Sequence, residues 1–349
     1  EFFMTKQNPM SQFDSQTITR GVVAGLVAAV IVLTSGISLA AFIFSGDLEP
    51  YLSRGIGLFI FSALVMSAVL AALGSLPGVV IAPQDSPSAL VAVGAAGIAS
   101  MLAGSAGSDE IYATVVMTII LSALLTGAAF YLIGLFKLGN LVRFIPYPVI
   151  GGFLAGTGWL IVRGSLEGTI GQPLGISMLP ALFQPDMASR WLPAVLFAFV
   201  VLFIRRRYDH FMIWPAIVAA GVLVFYGLIA AQGLSIEEAR ASGLLFQPFA
   251  SGGLWRPFLP SDLASVNWGA LAAEADQLIP IPIVSLIAFL LNASALELVA
   301  KRDLDLNREL RVVGLSNVLS GLGGGPVGYH WLSSTSLAFD MLFRFSKIS

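Results

Sequence analysis

Ile81-Ala-Pro-Gln-Asp-Ser-Pro-Ser-Ala-Leu90 is a polar, proline-broken interruption in an otherwise apolar chain. It follows Gly78-Val-Val-Ile81, a run of extended character, and opens onto a helical run from Ala89 to Met101. Ser86 followed by Pro87 reads as an N-cap and first helical position, because proline's missing N–H and fixed φ suit a first turn. A second break of the same design lies far downstream. It is Gly321-Leu-Gly-Gly-Gly-Pro-Val-Gly-Tyr-His330, leading into Trp331-Leu-Ser-Ser-Thr-Ser-Leu337. Two interrupted apolar segments, one in each half, point to the substrate site of a transporter. A helix that starts in mid-membrane aims free N–H groups and a positive dipole end at its ligand, so the expected ligand is an anion. Taken alone, the breaks also read as two ordinary Gly/Pro loops between buried helices.

Composition decides the solvent. The chain is 57% hydrophobic and 11% charged, against about 25% charged in soluble domains, so it is read as an integral membrane protein. No basic stripe with interleaved aromatics supports a nucleic-acid partner. Cysteine is absent and only His210 and His330 represent histidine; thiol chemistry is excluded, and neither a metal site nor a cofactor is expected. Residues 1–19 lack the pattern of a signal peptide and read as a cytoplasmic tail.

Apolar runs near 21–44, 51–73, 86–104 (broken), 112–135, 143–164, 190–205, 212–232, 277–299, 309–322 (short) and 331–345 suit about 20 residues per span. Gly151-Gly-Phe-Leu-Ala-Gly156 has the small-residue spacing of close helix approach. Residues 233–276 read as a solvated external loop. If the spans alternate, Arg20, Lys137, Arg143, Arg205-Arg-Arg207, Lys301 and Arg302 fall on one side. The positive-inside rule makes that side cytoplasmic, with the N-terminus. Seven spans precede the loop, so the second half starts from the opposite face, as in an inverted repeat. The expected division is a first repeat over 20–232, the loop over 233–276 and a partial second repeat over 277–349.

Few residues offer chemistry. Asp85 in the first break is a cap, a proton acceptor or a cation ligand. Asn292 and Glu297 on the eighth span are candidates for coupling; the plain reading of Glu297 is a partner for Lys301 or Arg302. Thr34, Ser35 and Ser38 put hydroxyls into the first span, where they bond their own helix or line a pocket. Tyr329, His330 and Ser333 sit at the second break. Neither a nucleophile–base pair nor a nucleotide-binding glycine fingerprint is present, so an enzyme is not expected.

Three stretches carry a family resemblance: Arg143-Phe-Ile-Pro-Tyr-Pro-Val-Ile-Gly-Gly-Phe-Leu-Ala-Gly-Thr-Gly158, the Pro83–Leu90 break, and Asp305-Leu-Asn-Arg-Glu-Leu310 with Gly314-Leu-Ser-Asn317. With the Pro326–Ser334 stretch, they make the chain resemble the SulP family of anion transporters (sulfate permeases). The variants look most like the microbial subgroup whose longer members append STAS or cyclic-nucleotide-binding domains. The resemblance implies an all-α, seven-plus-seven inverted repeat with core and gate domains, here ending after the tenth span. It implies transport of sulfate, bicarbonate, chloride or small dicarboxylates by rocking of core against gate. The implied partners are an inorganic anion, the lipid bilayer of a bacterial inner membrane and a second copy in a homodimer. By motif, Ser35, Gln84, Asp85, Ser86, Tyr329, His330 and Ser333 would line the site. Where many members carry a Glu-Ser pair in the eighth span, this chain has Ala288-Phe289. A non-transporting membrane scaffold, or a partner-dependent fragment of such a transporter, is the alternative function.

Overall fold

The computed structural model describes residues 15–139, 147–170, 174–175, 178–208, 213–242, 244–245 and 255–339. The tail before residue 15, the start of the Arg143 motif and the last expected span beyond residue 339 lie outside the described residues. The helices are α1 (Ser15–Ile43), α2 (Leu52–Leu73), α3 (Asp85–Leu102), α4 (Ser108–Leu135), α5 (Tyr147–Ile170), α6 (Leu179–Leu182), α7 (Pro185–Arg207), α8 (Ile213–Ala231), α9 (Ile236–Ala241), α10 (Trp268–Ala273), α11 (Pro280–Ala300), α12 (Leu306–Leu322) and α13 (Leu332–Phe339). Six of the described helical stretches are long and apolar enough to cross a membrane. A bilayer core offers no water to backbone groups, which is why the spans are helices.

Two compact units divide the chain. One comprises 1–160 and 253–349, the other 161–252. In the second, the Phe197 ring fills the space beside Gly221, and Trp191 Nε1 donates to the Leu182 carbonyl at 2.9 Å.

The first unit holds an internal symmetry. The order α1, α2, β1 (Ile81–Pro83), α3 recurs as α11, α12, β2 (Gly328–His330), α13. The two strands pair antiparallel, with Ile81 opposite His330, Ala82 opposite Tyr329 and Pro83 opposite Gly328. Hydrogen bonds extend the ladder at both ends, Trp331 N to Val80 O at 2.9 Å and Gln84 N to Val327 O at 3.2 Å. Proline fits β1 because Pro83 stands opposite Gly328 at a position between the ladder bonds, where its nitrogen faces away from β2. Each half-helix packs on the leading helix of both sets: α3 on α1 and α11, α13 on α11 and α1.

The contact that fixes α12 is its crossing with α4. A Cβ on Gly314 would meet Tyr131 N at 2.6 Å and Gly127 O at 2.7 Å. Only backbone against backbone fits there. Between membrane helices such packing supplies stability that transfer from water cannot. In α5, Gly151, Gly152 and Gly156 have nothing among the described residues within 4 Å of a built Cβ.

Two further expectations change. Gln84, rather than Ser86, is the N-cap of α3, which moves Pro87 to the third helical position, still within the turn that needs no N–H. The 233–276 connection is not simply solvated. Val266, Ala270 and Leu271 are buried in the core. Asn267 joins α4 through its N–H to Thr114 Oγ1 at 2.9 Å and its Nδ2 to Glu110 Oε1 at 2.8 Å.

Candidate functional site: two half-helix heads on a strand pair

The β1–β2 pair brings the two breaks together. Gln84 is buried, its Nε2 donating to the carbonyls of Ala82 at 3.1 Å and Tyr329 at 3.2 Å. It is a clamp between the strands. Asp85 is exposed and accepts from the Ser86 N–H at 2.8 Å and from Ser86 Oγ at 3.3 Å. Tyr329 is buried with its phenol hydrogen-bonded to the Ser86 side chain and within the field of Asp85. Gln84, Asp85, Ser86 and Tyr329 therefore form one cluster.

The heads of the half-helices differ in what they leave free. In α3 only the Asp85 N–H is left without a partner among the described residues: the Ser86 N–H is spent on Asp85, Pro87 has none, and the Ser88 N–H bonds the Gln84 carbonyl at 3.3 Å. In α13 the first N–H with a partner among the described residues is that of Thr335, bonded to Trp331 O at 3.0 Å. The N–H groups of Leu332, Ser333 and Ser334 are unspent, and the buried Ser334 hydroxyl also lacks a described partner. Ser333 itself is exposed. Neither Ile81–Leu90 nor Gly321–Leu337 contains a lysine or arginine.

Ser35 lies on α1, half-buried, without a described hydrogen bond. Its neighbours Thr34 and Ser38 turn back onto the Val30 and Thr34 carbonyls at 2.6 and 3.1 Å. Asn292 Nδ2 donates to the His330 carbonyl at 2.8 Å and so ties α11 to β2. Glu297 sits apart at the end of α11, where Oε1 accepts the Leu304 N–H at 3.1 Å; it pairs with that backbone rather than with Lys301 or Arg302.

Sequence reasoning named His330 as a lining residue but gave no role to Ser75, Glu309 or Asn317, which surround it and β2. His330 is fully buried, and its Nε2 lies 2.9 Å from Glu309 Oε2, off the line of a straight hydrogen bond. Glu309 Oε1 accepts from Ser75 N at 2.6 Å and Ser75 Oγ at 2.5 Å. Asn317 grips Gly328 from the other side. The Phe289 ring lies 5.1 Å from the His330 ring, tilted, and 5.5 Å from Phe130. An ionisable residue at membrane depth was a usable signal for Glu309, but its helix reads as amphipathic.

Known proteins are similar to this chain. The vacuolar basic amino acid transporter VSB1 of Saccharomyces cerevisiae is 26% identical over 293 residues, 80% of this chain and 28% of that protein. The bicarbonate transporter BicA of Synechocystis is 26% identical over 283 residues, 77% of this chain and 45% of that one. The chain thus spans less than half the length of both relatives. Among solved structures, the transmembrane domain of a cyanobacterial bicarbonate transporter BicA superposes with a TM-score of 0.66 at 20% identity, covering 94% of this chain and 78% of that one. That likeness gives the fold, an all-α membrane domain of the seven-plus-seven inverted-repeat type. The family model described as the sulfate permease family matches residues 18–341, and the chain belongs to that family.

Proposed function

We propose that this chain carries the substrate site of a secondary transporter of small inorganic anions, with sulfate the first candidate and bicarbonate or chloride next. The observation behind this reading is the head of α13: three main-chain N–H groups and a buried hydroxyl without partners among the described residues, at the positive end of a helix. Helix ends contribute about 0.3–1 kcal/mol each when exposed and up to roughly 2 when partly buried. With no fixed cation, binding is weak, in the high micromolar to millimolar range, about 4–6 kcal/mol. Weak binding suits release on the far side. Ser35, Gln84, Asp85, Ser86, Tyr329, His330 and Ser333 remain the proposed surroundings of the substrate, Gln84 and Tyr329 as scaffold and Ser333 as a donor; Asn292 holds β2 in place.

In this reading the unit that holds both half-helices is the core and the 161–252 unit belongs to the gate, and transport is rocking of one against the other. The repeats run over 20–232 and 277–349, joined by an external 233–276 segment, with the N-terminus cytoplasmic in a bacterial inner membrane. Single cysteines at 206 and 240 test the orientation: they are expected to label from opposite sides, and labelling from the same side refutes it.

Asp85 supports a second reading. An exposed carboxylate at the head of α3, in breaks free of lysine and arginine, suits a cationic group, and one relative is named a basic amino acid transporter. Flux in proteoliposomes separates the readings. Saturable sulfate uptake, accelerated by internal sulfate, supports the anion carrier. Arginine uptake without sulfate uptake supports the second reading, non-saturating flux indicates a channel, and binding without flux indicates a scaffold.

A further inference from the structure

Glu309 and His330 are the one pair of oppositely chargeable side chains buried together among the described residues, at 1% and 0% exposure. A carboxylate taken out of water costs several kcal/mol unless charge and hydrogen bonds compensate. Ser75 supplies two donors to Oε1, which orients the carboxylate and leaves Oε2 to the imidazole alone. The pair therefore has two states: carboxylate with neutral imidazole, net charge −1, or carboxylate with imidazolium, net charge zero.

The remaining charges nearby are spoken for. On α12 the Arg308 guanidinium turns away to the carbonyls of Leu73 and Gly74, and Arg311 reaches its own helix at Asn307 O. On α11 Glu297 takes the Leu304 N–H. The charged residue of α2, Arg54, lies over the Tyr51 and Tyr112 rings. Strand β1 carries no charge, Asp85 beyond it takes the Ser86 N–H and hydroxyl, and on α4 Asp109 and Glu110 accept from Tyr51 and Asn267. Among the described residues, the basic side chain within 4 Å of the Glu309 carboxylate is His330. Its Nδ1 has no described partner, whereas a histidine kept for structure commonly has its second nitrogen fixed by a hydrogen bond.

Position joins this pair to the substrate site. His330 ends β2, opposite Ile81, and only Trp331 separates it from the head of α13. A negative substrate at that head raises the cost of a net −1 pair behind it and lowers the cost of a neutral one. We propose that Glu309–His330 is a proton-binding site linked to the substrate site, taking up a proton from solvent when an anion seats at the head of α13. The proton resides on the imidazole and Glu309 stays ionised, so no bond other than N–H forms. This inference rests on the anion reading of the site. Linkage makes it reciprocal: whatever factor protonation adds to anion affinity, the anion adds to proton affinity. Because both side chains are sealed from solvent, the proton is exchanged only when β2 or α12 moves.

The test is proton uptake on adding sulfate to the purified protein in lightly buffered detergent solution, read with a pH dye, with bound labelled sulfate counted in parallel. Wild type is expected to take up as much as one proton per sulfate bound, and Glu309→Gln and His330→Gln are expected to take up none. Should either variant fail to fold, ¹⁵N-histidine spectra of the otherwise native His210→Gln protein decide. There the single remaining imidazole is expected to shift toward its doubly protonated form on adding sulfate. Sulfate binding with neither uptake nor spectral change overturns the proposal. If neither sulfate nor chloride binds, the anion reading falls. The proton site is then judged by the His330 signals between about pH 5 and about pH 8: change with pH supports it, and no change overturns it.

Discussion

Asn317 holds Gly328 by both main-chain groups, donating from Nδ2 to the Gly328 carbonyl at 2.8 Å and accepting the Gly328 N–H on Oδ1 at 2.9 Å. The side chain thus acts as a third strand beside β2, inside a fully buried region where no water could substitute. Each orphaned main-chain group costs about 1–3 kcal/mol. Asn317→Ala is expected to lower stability by about 2–5 kcal/mol, seen as a large drop in melting temperature in detergent. An unchanged Tm would mean that β2 is held by other contacts.

Gly314 is the point where α12 touches α4. A side chain there must displace the Tyr131 or Gly127 backbone, and overpacking of this kind costs about 1–3 kcal/mol or more. Gly314→Val is expected to reduce the yield of folded, monodisperse protein in size-exclusion chromatography. Gly151→Val, at a position with open space, is expected to leave it unchanged.

The two half-helix heads make opposite predictions for proline. Ser333→Pro removes an unspent donor from the first turn of α13, where proline is tolerated. A hydrogen bond to a charged group is worth about 1.5–3 kcal/mol, so sulfate affinity is expected to fall roughly ten- to hundred-fold. Ser86→Pro removes an N–H already bonded to Asp85 and is expected to change affinity far less. Equilibrium binding of labelled sulfate compares them, and the reverse order would move the anion to α3.

The short α9 begins with a reciprocal box: Ser235 N donates to Glu238 Oε2 at 2.7 Å, and Glu238 N donates to Ser235 Oγ at 3.2 Å. The Ser235 backbone N–H first, and its hydroxyl second, hold the Glu238 carboxyl below its ordinary value. A depressed folded value means the contribution is present above the unfolded pKa and is lost as pH falls through the folded one. Hydrogen exchange of 235–241, corrected for intrinsic rates, is expected to speed up on acidification through that window. Glu238→Ala is expected to remove the pH dependence, and acid-insensitive exchange in the wild type would contradict the box.

Much of the fold was legible because hydropathy acts locally. The expected spans 51–73, 112–135 and 277–299 fall on α2, α4 and α11 within a few residues, and both proline-broken stretches lead into helices. What was not legible depends on register. Ser75 and Glu309 are 234 positions apart, and nothing in either neighbourhood announces the other. The meeting of Glu309 with His330 requires β2 to pair with β1 in one register, and a shift of one residue would turn His330 to the other face. The unequal donor supply of the two heads was hidden for a similar reason: the Ser86 N–H looks free until Asp85 is seen to fold back onto it.

An anion seated at the head of α13 is directly measurable because the chain lacks cysteine. Ser333→Cys places a single thiol on an exposed residue of that head, and its rate of modification by a thiol reagent reports what covers it. Sulfate is expected to slow the reaction with a half-maximal effect in the high micromolar to millimolar range, while arginine has no effect. Protection by arginine alone, or by none of sulfate, bicarbonate and chloride, would contradict an anion site at α13.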